Sequence, residues 1–444
     1  MRYIPNTKEQ LEKMLKEVGI SSYEELISDI PENIRYKGAL NVNGPLSESE
    51  LFEYIKQIER KNLDFSLTKP LIGAGAYKHY VPAIIKTILS REEFYTAYTP
   101  YQPELAQGTL QTMFEVQTHL SRLTGMDAVV PSIYDGASAA AEAVLMAMRI
   151  THKNRIVVSS LLHPHYIETI KTYTAPHKCE IVEVPMKNNL IDIDALKNAL
   201  NNDTAVVVVQ SPNFFGGIED VDAIADIAHN FSALLLQVVV ESLSLALLKS
   251  PKDMGADIVS GEAQSFGMDL NFGGPYNGYL ATKMDYVRQL PGRIAGETVD
   301  KNGKRAFVMT LRAREQDIKR EKATSNLCTS HNLNLYAIDA YLSLFGKEGL
   351  YNLASYNVKA AHYLREALVK TGKFKAKDYP FFNEFVLETT MEEKELEERL
   401  LDINILPPLK LSTYYPELVD SYLFAVTEIF KKDDLSKIVD TLGR

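Results

Sequence analysis

From about residue 65 to about 310, short apolar runs alternate with segments of helical periodicity. This alternation restricts the fold more than any other feature of the chain. Strands are expected at Arg155–Ser160, Glu180–Pro185, Ala205–Gln210, Ala233–Val240, Asp257–Ser260 and Tyr279–Ala281. Several are rich in valine and apolar throughout, as strands buried on both faces must be. Helical patterns fall between them at Ala137–Arg149, His165–Thr172, Ile193–Leu200 and Asp220–Asn230. Repeated β-α units return the chain in one direction and imply a mostly parallel sheet covered by helices.

The flanks read differently. In residues 1–64, Thr7 can cap a helix through Leu11, Met14, Leu15 and Val18, and Ser21-x-x-Glu24 and Ser47-x-x-Glu50 have capping-box spacing. These amphipathic segments are too short to form a core and are expected to pack on the main body or on a partner chain. Residues 311–444 are expected to form a smaller α/β domain. Its helices are read at Leu333–Phe345, Leu353–Leu368, Met391–Leu401 and Leu435–Leu442, and its strands at Phe381–Leu387 and Tyr422–Val426. A length of 444 residues exceeds what one core supports, which agrees with several domains. The net charge of −10 argues against nucleic acid as a main partner. The two cysteines, Cys179 and Cys328, make no disulfide framework. Met1–Gln10 has no apolar signal region and no long apolar run follows, so a cytoplasmic location is expected.

Several positions suit an anionic, aromatic ligand. Gly136-Ala137-Ser138 opens a helix, where free amides and the positive dipole end can hold a phosphate. An ordinary helix start capped by Asp135 or Ser138 explains the same residues. His163, just past a strand end, could stack on a ring or serve a turn. Asn213, in Ser211–Gly216, could face a ring oxygen or build a β-to-α turn. Glu241 offers an acid at the edge of the Ala233–Val240 run, either for a ring nitrogen or for solvent. Thr96–Gln111 is dense in tyrosine and proline, as subunit and ligand contacts often are, although a buried loop accounts for it equally. The eight basic residues from Lys301 to Lys322 are interspersed with acids and read as a solvated face. No metal site is expected.

The phrases GAGAYKHYVP, REEFYTAYTPYQPELAQGTLQ, YDGASAAAEA, GEAQSFG…FGGP, PGRIAGETVDKNGKRAF and REQDIKREKATSNLCT occur in this order. Together they resemble the P-protein of the glycine cleavage system, in its split, two-subunit form, and specifically the alpha subunit. The resemblance covers nearly the whole chain. It implies a fold-type-I pyridoxal-phosphate-transferase fold, a large domain with a mostly parallel sheet, and a smaller α/β C-terminal domain. In such enzymes a lysine after a strand forms a Schiff base with pyridoxal phosphate. Here Gln264 occupies that slot, and an amide forms no imine. The resemblance therefore implies that the cofactor is held covalently by the partner beta subunit, and none on this chain. It also implies a glycine-decarboxylating complex that serves a lipoyl H-protein, built as a heterotetramer. Asp317, Glu241-Ser242 and His331-Asn332 depart from the pattern usual at those places. Two other readings stay open: a non-catalytic binding or regulatory homologue with an empty cleft, and a stand-alone lyase using Lys283 or Lys249.

Overall fold

The computed structural model describes residues 5–64, 66–96 and 98–444. The first four residues of the N-terminal segment, the expected domain border at 65 and Ala97 of the tyrosine-rich segment lie outside them. Contacts divide the chain into two units, Met1–Leu63 and Asp64–Arg444.

The second unit is built on a seven-stranded sheet. In chain order its strands are β1 (Ala128–Ile133), β2 (Arg155–Ser159), β3 (Glu180–Val184), β4 (Thr204–Gln210), β5 (Leu234–Val239), β6 (Ile258–Glu262) and β7 (Gly278–Thr282). Their spatial order is β1-β7-β6-β5-β4-β2-β3. The strands from β6 to β3 pair in parallel, and β7 runs antiparallel to both β6 and β1. The valine runs explain themselves in this frame. Val206 and Val208 of β4 enter one core layer, and Val207 and Val209 enter the other. Successive strand residues face opposite sides, so a strand covered on both faces is apolar at every position. Alanine dominates the helix Gly136–Thr151, where Ala139, Ala140, Ala141, Ala143 and Ala147 are all buried. Small side chains let that helix lie close to the sheet.

Several features differ from expectation. Strand β1 was hidden by Pro131, which removes a ladder donor; the position is tolerated because β1 is an edge strand. The basic run is not simply a solvated face. Strands Ile294–Val299 and Arg305–Thr310 form an antiparallel hairpin, with Phe307 and Met309 buried and Arg305 paired outward to Glu297. The two helices expected after residue 332 form one span, Asn332–Lys370, broken at Gly346. There φ is 56° and ψ −170°, a conformation that needs glycine.

Beyond this span come a three-stranded sheet of Glu384–Glu388, Ser421–Ala425 and Leu409–Lys410, and helices Glu393–Leu401 and Lys432–Gly443. The strand expected at Phe381 starts at Glu384. The first unit carries helices Lys8–Val18 and Glu48–Glu59, each opened by a capping box, at Thr7/Gln10 and at Ser47/Glu50. The third expected cap is shifted by one residue. Ser22 accepts from the Glu25 amide, while Ser21 donates both N–H and hydroxyl to the Glu25 carboxylate. Among the described residues, no helix is long and apolar enough to cross a membrane.

Candidate functional site

In a parallel sheet the side chains that do chemistry collect beyond the carboxyl ends of the strands. His163 follows β2, Asn213 follows β4, Glu241 follows β5 and Gln264 follows β6. Three of these four converge on one segment, Gly73–Tyr80. The Gln264 side chain accepts from the Tyr77 amide at 3.0 Å and donates to the Tyr77 and Met268 carbonyls, each at 2.9 Å. Both of its N–H donors are thereby used, and the residue is 1% exposed. His163 lies against the same segment. Its Nε2 is 2.9 Å from the Ala74 carbonyl, and its Nδ1 accepts from the His165 amide. These contacts select the neutral imidazole with the proton on Nε2, and burial pushes its pKa down to about 4.

Glu241 meets His79 rather than solvent. Its Oε2 lies 3.0 Å from His79 Nε2, and its Oε1 accepts from the Leu243 amide. The other ring nitrogen, Nδ1, lies 2.9 Å from Glu428 Oε2. Carboxylates only accept, so both ring nitrogens must donate and His79 is an imidazolium. Burial alone would lower its pKa; the charges of Glu428 and Glu241 overcome that and hold it at about 10. A third carboxylate closes the cluster. Glu384 accepts from the Ala74 amide and from the Tyr77 hydroxyl, each at 2.7 Å, and burial pushes it up to about 7.

The remaining candidates stand apart from this network. Asn213 is satisfied by its own turn and by a distant segment: its amide donates to the Asn189 carbonyl and to Glu219, and its oxygen accepts from the Phe215 and Gly217 amides. At the helix start, Gly136 N–H donates to Glu262 at 2.9 Å and Ser138 N–H donates to Asp135 at 2.7 Å; Ala137 lies between them. Glu262 is buried, which raises it to about 7. Lys283 is paired to Asp257 and Lys249 to Asp222, each at 2.6 Å, so the stand-alone reading loses both its amines. Asp317 pairs with Arg312, and His331 Nδ1 lies 2.8 Å from the Tyr276 carbonyl. The expected loop Thr96–Gln111 turns helical from Gln107, and Tyr101 is held by Arg293 over its ring and by the Cys328 carbonyl.

Pyridoxal phosphate does not fit these residues. There is no amine at position 264, the acid at 241 is taken by an internal cation, and the helix-start amides face carboxylates. Backbone also covers the imidazole of His163: a Cβ added at Gly75, where φ is +99°, would lie 2.8 Å from that ring. Tyr77, His79, Glu384 and Glu428 escaped the sequence reading. His79 is separated from its two partners by 162 and 349 positions, so no local spacing announces the group.

This cluster sets an expected pH profile. His79 is raised in the folded chain, so its contribution is full below the ordinary histidine value near 6.5 and is lost as pH rises through about 10. Glu384 and Glu262 are also raised, so their contribution is lost between the ordinary carboxylate range and about pH 7. Urea midpoints measured from pH 5 to 10 should fall in two stages. A profile that is flat or rising from pH 7 to 10 would contradict the imidazolium assignment.

The model of the glycine cleavage system P-protein family matches residues 1–442. A probable glycine dehydrogenase (decarboxylating) subunit 1 of Desulfitobacterium hafniense is 47% identical, with 100% of this chain and 99% of the relative covered. The protein of the same description from Koribacter versatilis is 44% identical, with 97% of each chain covered. Among solved structures, an inhibitor-bound glycine decarboxylase (P-protein) of the glycine cleavage system superposes with a TM-score of 0.88. It is 37% identical, with 100% of this chain and 99% of that chain covered. A glutamate decarboxylase from Lactobacillus brevis, 14% identical, shares the fold with a TM-score of 0.68, covering 95% of this chain and 96% of its own.

Proposed function

The chain belongs to the glycine cleavage system P-protein family, and from that premise we propose that it is the non-lysine, alpha subunit of a two-chain glycine dehydrogenase (decarboxylating). The complex takes glycine, releases its carboxylate as carbon dioxide and passes the aminomethyl group to the lipoyl arm of the H-protein. Pyridoxal phosphate, bound covalently by the beta subunit, supplies the electron sink for that chemistry. This chain holds no cofactor. Its Gly136, Ala137, Ser138, His163, Asn213 and Glu241 are remnants of a cofactor cradle, now committed to contacts within the chain.

One observation carries this reading. At the position where the fold needs an amine stands Gln264, buried, with both its donors spent on backbone carbonyls. A vacated site would leave that amide unsatisfied, at a cost of about 1–3 kcal/mol. The segment Gly73–Tyr80 satisfies it instead, so the site has been rebuilt for architecture.

The test is reconstitution. The purified chain, treated with pyridoxal phosphate and then borohydride, should retain no stoichiometric pyridoxyl-lysine. Mixed with a lysine-bearing P-protein subunit 2, a lipoylated H-protein and labelled glycine, it should restore release of labelled carbon dioxide. Full activity of subunit 2 by itself, or a single reduced adduct on this chain, would refute the assignment.

A further inference from the structure

The segment Gly73–Tyr80 lies between two sheets and is bonded to both. One wall is made by the groups beyond β2, β5 and β6 of the seven-stranded sheet. His163 Nε2 lies 2.9 Å from the Ala74 carbonyl, Glu241 Oε2 lies 3.0 Å from His79 Nε2, and Gln264 is bonded to both the amide and the carbonyl of Tyr77. The other wall is the three-stranded sheet. Glu384, which opens the strand Glu384–Glu388, accepts from the Ala74 amide and from the Tyr77 hydroxyl. Glu428, just past the strand Ser421–Ala425, accepts from the Tyr80 amide at 2.7 Å and lies 2.9 Å from His79 Nδ1. The Thr427 hydroxyl donates to the Lys78 carbonyl at 2.6 Å. Just ahead of the segment, the Ala425 amide donates to the Leu71 carbonyl at 2.7 Å. Two glycines permit this fit. A Cβ added at Gly75 would lie 2.8 Å from the His163 ring on one wall, and a Cβ added at Gly73 would lie 2.6 Å from Glu384 Oε1 on the other.

Ala74, Tyr77 and His79 each bridge the two walls. Ala74 reaches His163 with its carbonyl and Glu384 with its amide. Tyr77 meets Gln264 with its main chain and Glu384 with its hydroxyl. His79 places one ring nitrogen on each wall. A cleft between packed layers is where a small molecule is ordinarily held, touching both sides. Here the molecule that touches both sides is the chain itself. The wall groups Glu241, Gln264 and Glu384 are all buried, so a bond lost on one wall leaves a polar group unmet unless the segment moves and lets water in. Because the same three residues serve both walls, that movement also releases the opposite one. The apolar packing between the sheets runs elsewhere, through Phe214, Phe215, Val386 and Leu423, and stays in place when the segment lifts.

We propose that Gly73–Tyr80 is a strap, a built-in replacement for a ligand, which closes this cleft as one cooperative unit and couples the strand ends of the seven-stranded sheet to the three-stranded sheet. The inference stands on bonds within this chain and holds whatever reaction its complex performs. Native-state hydrogen exchange of the full chain, resolved to single amides by mass spectrometry, tests it through two variants, one on each wall. Gln264→Leu removes the bonds to Tyr77, and its effect is read across the cleft at the amides of Tyr80 and Ala425. Glu384→Leu removes the bonds to Ala74 and the Tyr77 hydroxyl, and its effect is read at the amide of Leu243, which donates to Glu241. Coupling between two sites is reciprocal, so each variant should speed exchange on the wall it does not touch. The expected gain is at least about tenfold, with the Val207 amide in β4 unchanged, because the strap opens without global unfolding. If either variant does not fold, as judged by circular dichroism, Tyr77→Phe, which drops only the hydroxyl bond to Glu384, is read at Leu243 and decides alone. Faster exchange confined to the altered wall, or an equal gain at Val207, would overturn the proposal.

Discussion

Replacing His79 by alanine is expected to destabilise the chain by about 3–5 kcal/mol at pH 7, the usual cost of removing one partner from a buried charged cluster. The magnitude follows from what the substitution leaves behind. Glu241, 2% exposed, and Glu428 both lose their cation, and no other side-chain cation is hydrogen-bonded or ion-paired to either among the described residues. The segment Gly73–Tyr80 then keeps its contacts to Glu384 and Gln264 but loses the imidazolium that ties β5 to Glu428, beyond Ser421–Ala425. A triple variant separates charge from packing. With His79→Leu, Glu241→Gln and Glu428→Gln together, no charge is stranded, and most of the lost stability should return. Urea denaturation followed by circular dichroism reads both variants. A loss below about 1 kcal/mol for His79→Ala would mean that the cluster is hydrated and the imidazolium assignment wrong. The upper stage of the pH profile should vanish in the same variant, since the group that titrates near pH 10 is gone.

How much of this was legible beforehand follows from the range of the signals. The valine-rich strands were visible because burial on both faces leaves a local composition, as in Thr204–Gln210, where all seven residues are buried. Strand β1 was hidden by Pro131, whose cost depends on sheet position, and sheet position is a long-range property. The hairpin from Ile294 was hidden by its charges, since Glu297 and Arg305 satisfy each other only once the strands pair. That Gln264 is an amide where the resemblance implies an amine was legible because it is a single-residue fact. The contacts that satisfy it were not. Tyr77 and His79 sit in a phrase that marked the family, yet their roles come from Glu241, Glu384 and Glu428, hundreds of positions away. Glu241 shows the difference well. The sequence left it between a ligand's ring nitrogen and solvent, and the partner it meets is the chain's own imidazolium.

Deleting Met1–Leu63 is expected to abolish stable pairing with subunit 2 while leaving the rest of the chain folded. The argument has two halves. Among the described residues the buried apolar clusters run from Leu71 to Leu442, all within the unit Asp64–Arg444. The described residues of the unit Met1–Leu63 enter none of these clusters, and no residue of its helices Lys8–Val18 and Glu48–Glu59 is buried. Capping boxes hold these helices at their starts, yet Leu11, Met14, Val18, Leu51, Phe52, Ile55 and Ile58 stay exposed. Isolated helices of about this length are marginal in water, and their stability comes from burying an apolar face. Obligate interfaces bury more than about 2,000 Å² and are apolar at the centre, which is the surface this unit offers. Size-exclusion chromatography with light scattering, on the deletion variant mixed with subunit 2 at micromolar concentration, should give two separate species. The thermal midpoint of the truncated chain should stay within a few degrees of the full chain's. Tyr98→Ala should weaken pairing less, and Tyr101→Ala should also loosen the chain itself. Tyr98 is 64% exposed, whereas Tyr101 is already engaged by Arg293 and Cys328. A truncated chain that pairs with undiminished affinity would place the interface entirely on the body and sink the role assigned to the first unit.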